Sequence, residues 1–68
     1  MVNFANRLKE LRIEKSLSQQ QLANLMSMSK MAISHWESGH SEPSIAQLIY
    51  LAELFGVTID YLVGKDSD

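Results

Sequence analysis

The side chains best equipped for chemistry in this 68-residue chain are His35 and His40, five residues apart with Glu37 between them. That spacing departs from the i, i+4 helical pair on which a zinc protease site is built. The chain has no cysteine, which excludes disulfides and thiolate metal sites together and fits a reducing cytoplasm. Serines are plentiful, yet Ser18, Ser29 and Ser44 each stand at the start of a helix-like run, where a hydroxyl serves as a cap. No glycine-rich phosphate loop is present, and a short helical chain encloses little pocket. The expectation is therefore neither an enzyme nor a cofactor-bearing protein.

Recognition at a surface is the chemistry that remains. If Ile33 and Trp36 face inward from a helix, then Lys30, Met31, Ser34 and His35 face outward near its start. Lys30 can donate to guanine O6 and N7 or to a phosphate, and Met31 can pack against thymine methyls. Ser34 and His35 can hydrogen-bond to base or backbone. Read plainly, the same four are a surface lysine, a core methionine and two solvated polar residues.

Five short helices must position these side chains, and no alternating strand pattern interrupts them. The first spans about Phe4 to Lys15, with Asn3 as N-cap and Phe4, Leu8 and Leu11 on one face. The second opens on Ser18-Gln19-Gln20-Gln21, a capping box in which hydroxyl and glutamine amide satisfy each other's backbone groups. Its inward face is Leu22, Ala23, Leu25 and Met26. Ser29 caps the third, which presents Ile33 and Trp36, the latter expected to fill the gap toward the fourth helix. Ser44 and Gln47 form a second box, followed by the stripe Ile45, Leu48, Leu51, Ala52 and Phe55, with Gly56 where a left-handed residue is wanted. Thr58 caps a short fifth helix carrying Ile59, Leu62 and Val63, closed by Gly64. Residues 1–68 thus read as one domain with a core of 4–64 and a frayed tail of 65–68.

The link between the second and third helices is too short for them to lie antiparallel, so they must cross steeply, as in a helix-turn-helix. Gln19 to Ser38 can be tested against that motif position by position. Its fifth residue must be small where the helices touch, and it is Ala23. The core positions are Leu22, Met26 and Met28 near the turn, then Ile33 and Trp36 in the second helix of the motif. The ninth position favours glycine because the turn needs a positive φ; here it is Ser27, a departure costing about 1–2 kcal/mol.

With those residues in place, the chain resembles the Cro and phage-repressor type of helix-turn-helix, the XRE-like family of bacterial and phage transcriptional regulators. Arg7-Leu8-Lys9, Leu17-Ser18-Gln19, Ile33-Ser34-His35-Trp36-Glu37 with Gly39, Glu42-Pro43-Ser44 and Phe55-Gly56-Val57 all fit, so the likeness covers about residues 4 to 64. The stretch Ala32 to Glu37 is especially similar to repressors of lambdoid phages. The resemblance implies an all-α, five-helix domain of the lambda-repressor type. It also implies that the third helix enters the major groove with Lys30, Met31, Ser34 and His35 at the base edges. Gln19, whose helix start favours a phosphate, is implied to touch the DNA backbone. Ser29 is a cap that could also meet a phosphate, and Ser38, His40 and Ser41 are implied to follow the sugar-phosphate chain. His40 stands where many relatives carry a permanent cation, and a histidine is charged only toward acid pH. Arg12 and Glu37 match a pair that, in phage repressors, bridges the first helix to the end of the third. Ala23, Ile33 and Trp36 are structural.

Charge neither supports nor opposes this reading. The net charge is −2, but residues 1–30 hold Arg7, Lys9, Arg12, Lys15 and Lys30 against Glu10 and Glu14, a balance of +3. Residues 31–68 hold Lys65 against six acids, a balance of −5. One face can therefore be positive while the whole is acidic. No run is long enough to span a membrane and no signal-peptide core is present. Double-stranded DNA is the expected partner, bound by a homodimer, because one module buries only about 600–1,000 Å² on DNA. The C-terminal region, with Ile59, Tyr61, Leu62 and Val63, is the expected self-association surface. The alternative is an antitoxin-like or other protein-interaction module on the same fold, favoured by the acidic balance and the apolar fifth helix.

Overall fold

A computed structural model describes residue 1 and residues 3–65. Among them, five α-helices follow one another without a strand: α1 (Phe4–Glu14), α2 (Gln19–Leu25), α3 (Lys30–Ser38), α4 (Ile45–Phe55) and α5 (Ile59–Val63). Residues 66–68, most of the expected frayed tail, lie outside the described residues.

Local sequence explains where each helix begins. In α2 the Gln21 amide donates to Ser18 Oγ at 3.0 Å while the Ser18 amide donates to Gln21 Oε1 at 2.8 Å. Ser44 and Gln47 repeat the exchange at 3.1 and 2.8 Å. Ser29 accepts from Ala32 N–H at 3.1 Å, and Thr58 accepts from Tyr61 N–H at 3.0 Å. Each such cap contributes about 1 kcal/mol to its helix. Asn3 departs from expectation: it occupies the cap position of α1, but its side chain makes no capping hydrogen bond.

The helix ends share one device. After each helix a residue takes a left-handed φ: Ser16 (58°), Ser27 (55°), Gly39 (84°), Gly56 (67°) and Gly64 (83°). Around each, two amides turn back onto carbonyls left open by the last turn, as when Met28 donates to Ala23 at 2.8 Å and Ser27 to Asn24 at 3.2 Å. This double bond pattern satisfies groups that would otherwise need water. It also leaves only four residues, Met26 to Ser29, between α2 and α3.

The core draws on all five helices: Phe4, Leu8 and Leu11; Leu22 and Ala23; Ile33 and Trp36; Leu48, Leu51, Ala52 and Phe55; and Leu62. α3 packs on α1 and α2, and α5 on α1 and α4. Trp36 meets the edge of Phe4, with centroids 6.2 Å apart and planes at 74°. This aromatic contact ties the third helix to the first. Two inward assignments are corrected. Leu25 is 45% exposed and Ile45 76% exposed. Ile45 sits about 60° around α4 from Leu48, at the edge of the apolar arc and in its first turn. Among the described residues, no helix is long and apolar enough to cross a membrane.

Candidate nucleic-acid interface

Presentation of α3 begins with an ion pair beneath it. Arg12, on α1, donates to both carboxylate oxygens of Glu37, near the end of α3, at 2.6 and 3.1 Å, and to the Leu17 carbonyl at 2.7 Å. The side chains are 11% and 4% exposed. Hydrogen bonding to Glu37 raises the Arg12 pKa above its ordinary value, against the opposing effect of desolvation. Three donors from a planar fork fix an angle as well as a distance. Arg12 thus clamps the end of α3 to α1 and to the loop that leads into α2.

Gln19 joins this network. Its Nε2 donates to Glu37 Oε1 at 3.1 Å, so the first residue of α2 is tied to the far end of α3. The sequence pointed Gln19 toward a phosphate and did not reveal this partner within the fold. No short-range pattern carries the signal, because the bond exists only once the two helices cross.

Above the clamp, the outer face of α3 is open. Lys30 and His35 are exposed, Met31 is 67% exposed, and Ser34 is half-buried beside them. Beneath them Ile33 and Ala23 are fully buried. Burial of the inward set therefore turns the four candidate base-reading side chains to one side, and an exposed methionine is consistent with apolar contact to a groove rather than with a place in the core. Ser29 is occupied as a cap, yet remains exposed at the helix start.

The loop after α3 brings Ser38, His40 and Ser41 together. Ser38 Oγ donates to the His35 carbonyl at 3.2 Å and lies 2.7 Å from His40 Nδ1. The His40 and Ser41 amides both donate to the same His35 carbonyl. The His35 and His40 rings lie 5.5 Å apart at a 30° tilt. Two histidines five residues apart in sequence become neighbours because Gly39 reverses the chain between them.

The fourth group of candidates, at the C-terminus, is changed by the structure. Leu62 is fully buried, and Tyr61 and Val63 pack against the core. Arg7 lies over the Tyr61 ring, 4.2 Å from its centroid, and donates to the Tyr61 carbonyl. α5 is thus largely consumed in closing the fold on α1, and of the four residues only Ile59 is exposed.

Comparison with known proteins agrees with this geometry. A family model described as helix-turn-helix matches residues 8–62. The transcriptional activator BcrR of Enterococcus faecalis is 42% identical over 97% of this chain, which covers 32% of BcrR. The transcriptional regulator AnsR of Bacillus subtilis is 41% identical over 91% of the chain, covering 53% of AnsR. The chain therefore spans from about a third to just over half the length of these relatives, which are regulators of transcription. A crystal structure of the P22 c2 repressor in complex with a synthetic operator superposes with a TM-score of 0.85 at 27% identity, covering 97% of this chain and 98% of that one. The chain belongs to the Cro and phage-repressor type of helix-turn-helix family.

Proposed function

We propose that this chain is a sequence-specific, double-stranded DNA-binding transcriptional regulator, acting in the cytoplasm as a repressor that holds a palindromic operator as a homodimer. The observation that carries the reading is the exposed edge of α3, with Lys30 and Met31 presented on a helix clamped by Arg12, Glu37 and Gln19. The operator-bound P22 c2 repressor, similar over nearly the whole chain, supports placing that helix in a major groove. Lys30, Met31, Ser34 and His35 then face base edges, while Gln19, Ser29, Ser38, His40 and Ser41 lie toward the sugar-phosphate backbone. Residues 1–68 serve as one DNA-binding domain.

Two copies would read half-sites about 34 Å apart, one helical turn. With most of α5 buried at home, Ile59 is the part of the expected dimer surface left for a partner. Selection from random duplexes should return a two-fold symmetric site. Affinity for it should fall with salt at a log–log slope near −0.9 per neutralised phosphate. Lys30→Ala should weaken binding by about tenfold, as loss of one base or phosphate contact does. Asymmetric selected sites would remove the dimer, and a flat salt dependence would remove the DNA reading. A protein-interaction role on the same fold is the second reading, favoured by exposed Ile45, Ile49 and Tyr50 on α4; the flat salt line is the result it predicts.

A further inference from the structure

α4 is apolar on its outer side as well as its inner one. Leu48, Leu51, Ala52 and Phe55 form the inward arc and belong to the core. The exposed positions, Ile45, Ile49, Glu53, Ala46 and Tyr50, follow one another around about 140° of the opposite face. Ile45 is 76% exposed, Ile49 44% and Tyr50 45%. A surface helix turns polar residues outward, whereas a helix that is apolar all round is one that something covers. The patch continues onto α2, where the Tyr50 hydroxyl donates to the Leu25 carbonyl at 3.3 Å and Leu25 is itself 45% exposed.

Charge selects the occupant. Residues 17–29 and 43–52, which supply this surface apart from Glu53, hold no charged side chain. A polyanion or a strongly charged protein therefore has nothing to pair with there. Glu53 is the exception, and it is badly placed for a lone chain. It stands in the last turn of α4, at the negative end of the helix dipole, with no basic residue in that turn. The first turn, at the positive end, carries no acid, and its capping box engages the amides of Ser44 and Gln47. An antiparallel second copy of α4 answers both ends at once. With Ile49 on the two-fold axis, the residue four places after it comes opposite the residue four places before it. Glu53 of each copy then lies at the positive end of the other's α4, where the small Ala46 leaves room.

From this we infer that α4 is a self-association face, on which two copies of the chain pair antiparallel about an axis through Ile49. Such a contact is isologous, each copy giving and receiving the same surface. The inference deepens the homodimer reading by naming its surface, which moves from α5 to α4.

Sedimentation equilibrium of the full chain, carried to about 1 mM so that a weak association registers, should show monomer and dimer in exchange. Ile49→Arg, which sets two cations face to face on the axis, should weaken the dimer by about tenfold or more. Ile45→Lys, at the most exposed position, should do the same and serves if Ile49→Arg fails to fold, which circular dichroism reveals. Glu53→Lys should weaken the dimer about fivefold by carrying a cation to a positive helix end, and Ile59→Arg should leave it unchanged. A dimer that survives the Ile49 and Ile45 variants but is broken by Ile59→Arg overturns the α4 face and keeps the homodimer. Indifference to Glu53→Lys overturns the antiparallel pairing. A wild type that stays monomeric throughout overturns self-association through α4 and leaves the face to a different protein. Two chains on one operator duplex would then still keep the homodimer reading, and one chain would remove it as well.

Discussion

The Arg12 guanidinium reaches three oxygens in two other segments, and removing either end of its pair with Glu37 leaves a different defect. Glu37→Gln leaves a charged guanidinium, 11% exposed, facing a neutral amide. Arg12→Met leaves a nearly buried carboxylate whose remaining partner among the described residues is the Gln19 amide. Each single change should cost about 1–3 kcal/mol, between the small value of an exposed pair and the penalty for an unmatched, fully buried charge. The double change should cost clearly less than the sum. Urea unfolding of the four proteins measures the coupling. Coupling near zero would show that the pair behaves like two solvated charges and does not hold α3 in place.

At the level of elements, the turn between α2 and α3 is built on Ser27 at φ 55°, a conformation that suits glycine better. Ser27→Gly should stabilise the domain by about 0.5–1 kcal/mol, the relief of left-handed strain less the added freedom of the unfolded chain. That is a rise of several degrees in thermal midpoint, and a fall would show that the serine side chain contributes more than its backbone costs. The need for a positive φ at this position was legible in the sequence, as were both capping boxes, because caps and turns are settled by residues three or four apart. Ser16 adopts the same conformation and was not anticipated, since no motif position marks it. Periodicity identified apolar arcs but not where their cover ends, so Leu25 and Ile45 were assigned inward and lie outside. Gln19 on Glu37, and His35 beside His40, depend on helix crossing and chain reversal. Arg12 with Glu37 was anticipated through family likeness, not through spacing.

Across the whole molecule, the two ends of the fold meet at Gly64. Its φ is +83°, and a Cβ there would lie 2.9 Å from the Asn3 backbone nitrogen. The left-handed ending was foreseeable from sequence; the close approach of backbones was not, because it joins residues at opposite ends of the chain. Gly64→Ala should therefore destabilise by about 2 kcal/mol or more, combining strain with a clash. Gly39→Ala, which meets open space, should cost about 1 kcal/mol from strain alone. Thermal unfolding of the two variants separates them, and equal losses would mean the α1–α5 closure yields easily. The part-buried clamp has one more consequence. Mobile ions crowd the outer surface but do not reach between Arg12 and Glu37, so salt weakens attraction to a polyanion far more than it weakens that pair. Concentrated electrolyte should lift the protein off its site as an intact, correctly shaped reader, ready to rebind on dilution without refolding.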